Sequence, residues 1–105
     1  MLPSGHPNTG RALVWLGAAH TRAGEALAGE RLIREGLTML EHKLGTGHWS
    51  ASMARGTLAA ALAAQGRGAE SVQLYTQAIG ELQGRFGAGD YRTRALRQEL
   101  ARPRL

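Results

Sequence analysis

The chain has no cysteine, which removes disulfides and thiolate metal centres from consideration. Aromatic residues are 5% of the total, and valine and isoleucine are confined to Val14, Val72, Ile33 and Ile79. The side chains that best fit a pleated surface are scarce, so a β-rich fold has little to be built from. No apolar run approaches the roughly 18 residues that a bilayer-spanning helix needs. The opening MLPSGHPNTG lacks the apolar stretch of a signal peptide. These absences give the expectation of a soluble, cytoplasmic chain with no membrane partner. Catalytic signatures are missing too: no GxSxG elbow, no GxxxxGK(S/T) loop and no HExxH pair occurs. The chain is therefore read as non-catalytic, with no cofactor and no metal.

Alanine and leucine carry much of the 43% apolar content, and both are strong helix formers. The expected fold class is all-α, and 105 residues allow one domain with a modest core. A net charge of +5 favours acidic partners. The thirteen basic residues, of which Lys43 is the only lysine, are spread along the chain rather than gathered in a run. Without a basic run, aromatic interleaving or a Gly-rich clamp, nucleic-acid binding ranks last among the readings.

The tetrapeptide GHWS at residues 47–50 has relatives in GHPN at 5–8 and GDYR at 89–92, each 42 residues apart. The same step pairs Ala12 with Ala54, Leu16 with Leu58, Ala19 with Ala61 and Gly24 with Gly66. It also pairs Leu32 with Leu74, Leu40 with Leu82, and Gly45 with Gly87. Two full units, 5–46 and 47–88, are followed by a partial third over 89–103 that Pro103 stops.

Each unit reads as two helices. Ala12, Leu16 and Ala19 lie at i, i+4 and i+7, the spacing of one helical face, and mark its buried side. Ile33, Leu37, Leu40 and Leu44 continue the same rhythm in a second helix, and Tyr75, Ile79, Leu82 and Phe86 repeat it one unit later. Gly24, Gly45, Gly66 and Gly87 fall where helix C-termini favour a left-handed residue. His6, His48 and Asp90 stand at N-cap positions, with Pro7 at the first helical position of its unit. Trp49 and Tyr91 replace that proline, where a ring can pack on the preceding hairpin. Four histidines, His6, His20, His42 and His48, are read as capping and packing residues rather than metal ligands. A hairpin with one apolar stripe per helix cannot bury both alone, so successive hairpins stack. Small residues at Ala19/Ala61, Gly29/Ser71 and Gly36/Ala78 allow close helix approach.

These units resemble the tetratricopeptide repeat (TPR), in its 42-residue form as in kinesin light chains. The resemblance rests on Leu16-Gly17, His20 and Gly24, with Leu58-Ala59, Leu62 and Gly66 in the second unit. Ser71, Tyr75 and Ala78 (Gly29, Ile33 and Gly36 in the first unit) match the family's second helix. Leu44-Gly45-Thr46-Gly47-His48-Trp49 matches its junction, with Trp where the family has Pro. The resemblance implies a right-handed α-α superhelix of two helix hairpins plus a C-terminal capping helix. It further implies a concave groove that binds a peptide or helical segment of a partner protein. With Leu16 and Leu58 inward, the groove falls to Arg11, Val14, Trp15, Ala18 and Arg22 in the first unit. The second unit places Met53, Gly56, Thr57, Ala60 and Ala64 there, and the last helix adds Gln98 and Glu99. The leading expectation is a protein-interaction module, part of a larger regulatory or scaffold protein, with a partner that carries acidic residues. The alternative is a self-associating homo-oligomer that pairs through the open face of its first hairpin.

Overall fold

The computed structural model describes residues 6–102 and consists of five helices. They are α1 (Pro7–Arg22), α2 (Ala26–Leu44), α3 (Trp49–Ala64), α4 (Gly68–Phe86) and α5 (Tyr91–Ala101). Among the described residues there is no strand, and no helix is long and apolar enough to cross a membrane. Gly5 and Pro103, expected to open the first unit and stop the last, lie outside the described residues.

The 42-residue step holds at both ends of the first four helices and at the start of α5: α1 and α3 have 16 residues each, and α2 and α4 have 19 each. Local chemistry sets those limits. His6 Nδ1 accepts the Asn8 N–H at 3.1 Å, His48 Nδ1 accepts the Ser50 N–H at 3.0 Å, and Asp90 Oδ1 accepts the Arg92 N–H at 2.9 Å. One orphan donor at each of these N-termini is thereby satisfied. At the other ends, Gly24 and Gly66 take φ of 87° and 78°. Beyond them the Glu25 N–H donates to the His20 carbonyl and the Arg67 N–H to the Leu62 carbonyl, at 2.8 and 3.0 Å. This six-to-one bond closes a Schellman turn in both hairpins.

Within the first hairpin, α1 and α2 touch through glycines. A methyl group on Gly17 would stand 2.6 Å from the Gly29 carbonyl oxygen and 2.5 Å from Ile33 Cγ1. One on Gly36 would stand 2.5 Å from the Gly10 carbonyl oxygen. The equivalent places in the second hairpin are filled by Ala59, Ser71, Ala78 and Ser52. There the Ser71 hydroxyl donates to the Ala59 carbonyl at 2.7 Å in a fully buried contact. One hairpin achieves close approach by removing side chains, and the other by bonding a small one.

Between hairpins, each first helix lays its stripe on the second helix before it. Leu58, Ala61 and Leu62 of α3 pack with Ile33 of α2, and Ala54 packs with Val14 and Leu40. One unit later, Leu96 and Leu100 of α5 pack with Tyr75, Ile79 and Leu82 of α4. The expectation that Leu16 lies buried is corrected here: Leu16 is 48% exposed while Leu58 is 2% exposed, and Ala12 and Ala19 are exposed with it. Among the described residues no hairpin precedes α1, so its stripe has nothing to lie on. Gly56, expected in the groove, is buried under Leu96, whose Cδ2 would sit 2.5 Å from a methyl at that position. Size is traded across the two junctions: Val14 meets Ala54 at the first, and Gly56 meets Leu96 at the second.

Gly17→Ala is expected to destabilise the fold by about 1–3 kcal/mol through overpacking, although alanine favours an isolated helix by roughly 1 kcal/mol. Gly84→Ala, in α4 with open space around it, is expected to stabilise by about 0.5–1 kcal/mol. Urea unfolding of the two variants beside the parent reads both signs, and equal shifts would contradict the tight crossing.

Candidate interaction surface

The helices α1, α3 and α5 present neighbouring faces on one side of the molecule, and two depressions run between them. In the first, Arg11, Val14 and Trp15 of α1 face Trp49, Ser50, Met53, Ala54 and Thr57 of α3, over Leu40 of α2. In the second, Ala18, Thr21 and Arg22 of α1 and Met53, Thr57 and Ala60 of α3 face Ala95, Leu96, Glu99 and Arg102 of α5. Met53 and Thr57 border both, so the two form one continuous trough. Their volumes, about 260 and 370 Å³, lie near the lower limit of small-ligand cavities. A side chain or a length of chain fits such open shapes better than an enclosed small molecule does.

Nine of the twelve expected groove residues come together here: Arg11, Val14, Trp15, Ala18, Arg22, Met53, Thr57, Ala60 and Glu99. Ala64, at the last position of α3, and Gln98 border neither depression. The side of α5 that faces the trough is Ala95, Glu99 and Arg102, and Gln98 sits a helical step of about 100° from Glu99. Sequence reasoning missed Leu40, Trp49, Ser50 and Ala54 at the first depression, and Thr21, Ala95, Leu96 and Arg102 at the second. Trp49 carried a usable signal, because it stands four residues before Met53 and so shares its face of α3.

Trp15 is 79% exposed and stands on the rim, not in the core. Beside it the Arg11 guanidinium donates to Asn8 Oδ1 and to Ser50 Oγ, both at 3.2 Å, and so bridges α1 to α3. Trp49 is fixed from behind. The Arg92 guanidinium lies 3.9 Å from the Phe86 ring centre, 4.7 Å from Tyr91 and 4.8 Å from Trp49. A cation shared by three rings couples the third unit to the wall of the first depression.

Two charged clusters hold the hairpins in register. Buried Arg55 donates to Glu81 at 2.8 Å, to Glu41 at 2.9 Å and to the Thr46 carbonyl at 2.8 Å, and so joins α2, α3 and α4. The Ser52 hydroxyl also donates to Glu81, at 2.7 Å. Toward the other end, buried Glu30 accepts from Arg34, Gln65 and Arg67 at 2.8, 2.9 and 3.0 Å. Burial alone would push the Glu30 carboxyl up. The hydrogen bonds from Gln65 and Arg34, with the charges of Arg34 and Arg67, outweigh it and hold the group below its ordinary 4.5. His48 is held below its ordinary 6.5 by burial and by the charges of Arg11 and Arg85. Only a neutral imidazole can accept the Ser50 N–H. Of the remaining histidines, His6 caps α1, His20 pairs with Glu25 at 2.7 Å, and His42, expected to cap or pack, is exposed in the last turn of α2. Among the described residues no three metal-capable side chains stand together.

The linkage follows from the signs. Both groups have depressed values in the folded state, so each contributes stability above its unfolded value that is lost as pH falls through the folded one. Unfolding free energy is expected to decline first below about pH 6.5 through His48 and again below about pH 4.5 through Glu30. Urea titrations at pH 7, 5.5 and 4 check this. His48→Asn keeps a capping oxygen and flattens the first decline, and Glu30→Gln lowers stability at pH 7 and flattens the second. Unchanged profiles would contradict the assignment. No protein-family model matches this chain and no curated protein is similar to it, so the functional reading rests on its own geometry.

Proposed function

We propose that the chain is a single-domain protein-interaction module of the TPR type, non-catalytic, in which the stacked hairpins form a right-handed superhelix. Its α1/α3/α5 trough holds an acidic or amphipathic segment of a partner protein, in a scaffold or regulatory setting. The observation that carries this reading is the exposed Trp15 beside Arg11, above an apolar floor that includes Leu40, with Arg22 two turns further along α1 at the second depression. Exposed tryptophan flanked by arginine is the composition of binding hot spots. The residues between them are small, which leaves room for a closely packed helix and few polar demands on its sequence. Nucleic acid is a poorer fit, because Arg34, Arg55 and Arg67 are committed to carboxylates within the fold.

Self-association is a second reading, supported by the uncovered stripe Ala12, Leu16 and Ala19. Light scattering over a concentration series separates it, since a monomer mass throughout removes it.

Selection from a displayed library of acidic amphipathic helices, followed by calorimetric titration of the enriched peptides, tests the trough. Trp15→Ala is expected to weaken binding by at least about tenfold, and Arg22→Glu to weaken it as well. If neither substitution changes the affinity of any selected peptide, the trough is not the binding surface.

A further inference from the structure

The 42-residue equivalence identifies a second seat, away from the trough. A shallow groove of about 490 Å³ lies between α4 and α5, lined by Thr76, Ile79, Gly80, Arg97, Leu100 and Ala101. One unit earlier the corresponding residues are Arg34, Leu37, Thr38, Arg55, Leu58 and Ala59. That earlier space is covered by α4. Its Leu74 packs into the cluster of Ile33, Leu58 and Leu37, its Ser71 bonds the Ala59 carbonyl, and its Glu81 takes Arg55 and Ser52. Among the described residues no helix stands in the same relation to α5.

The half of the arrangement that α5 supplies is in place. Arg55 bonds Glu41 with one terminal nitrogen and Glu81 with the other. Arg97, its equivalent, bonds Gln83, the equivalent of Glu41, with one of its own. Ser52, the second donor to Glu81, is succeeded by the exposed Arg94. Arg97 thus lines the place where the second hairpin seats a carboxylate, Arg94 stands one turn before it on α5, and the apolar floor is Ile79 and Leu100.

We propose that this groove binds an acidic amphipathic α-helix of a partner protein, which seats an aliphatic residue over Ile79 and Leu100 and, two turns later, a carboxylate on Arg97 and Arg94. The spacing is that of Leu74 and Glu81 in α4, seven residues apart on one face. A second copy offering its own uncovered stripe on α1 does not meet this chemistry. Residues 7–22 contain no Asp or Glu, and two basic faces would meet. The charge pattern sets partner choice, because a like-charged helix is repelled from a site lined by Arg97 with Arg94 one turn away on α5.

The probe is a fluorescent, helix-stapled peptide with the α4 sequence Gly68–Phe86, titrated into the full chain by anisotropy. Arg97→Glu and Arg94→Glu, both at exposed positions, are each expected to weaken binding by about tenfold with unchanged circular dichroism. A peptide in which the glutamate at the position of Glu81 is replaced by arginine should lose affinity for the parent and regain it for Arg97→Glu. Trp15→Ala should leave this titration unchanged, so failure here and failure of the trough are read separately. The proposal is overturned if the peptide does not bind at about 1 mM, or if it binds the parent and both variants equally. It is also overturned if the parent forms a dimer that Arg97→Glu disperses, since a second copy then fills the groove.

Discussion

The constraint on which the structure depends is that a helix hairpin with two apolar stripes can cover only part of them itself. The stripe of each first helix must lie on the second helix of the hairpin before it. At the first junction this is Leu58 on Ile33, and burying one leucine contributes about 1.5–3 kcal/mol. The repeat in the sequence is the trace of that requirement. Each of the first four helices begins and ends as its counterpart does 42 residues away. The contact also explains the trough: α3 rests on α2 and α5 on α4, which sets α3 beside α1 and α5 beside α3.

Stacking alone leaves the hairpins free to slide, and polar groups fix them. Arg55 ties three helices through two carboxylates and a backbone carbonyl, and Glu30 collects three donors on the same junction. Such buried charges add little net stability when complete but cost heavily when half removed. Their role here is register. Arg92, set among Phe86, Tyr91 and Trp49 with the Asp90 carboxylate 3.8 Å away, does the same for the second junction.

The helix boundaries were legible in the sequence because they rest on local chemistry. N-cap acceptors at His6, His48 and Asp90, and left-handed glycines at 24, 45, 66 and 87, need no distant partner to act. Burial was legible only where the neighbour recurs along with the residue. Leu16 and Leu58 share a position in the repeat but not a surrounding, since one has a hairpin beneath it and the other does not. Gly56 misled for a related reason: its counterpart Val14 is the larger partner at the first junction, and at the second the large side chain moves to Leu96. Arg55 was not found because a buried arginine requires acids on two other helices, and no spacing along one helix announces that. The expected trough residues mostly converge because α3 is held by its support and α1 packs beside it through Val14 on Leu40 and Ala54.

Stacked hairpins require unlike burial of like positions. The chain has no cysteine, so single-cysteine variants at Leu16 and Leu58 can be labelled with a thiol reagent under native conditions. The cysteine at position 16 is expected to react at the rate of an exposed thiol. The one at position 58 is expected to react at least about a thousandfold more slowly, because labelling must await opening of the stack. Rates within a few-fold of each other, with both variants folded by circular dichroism, would contradict the stacked arrangement.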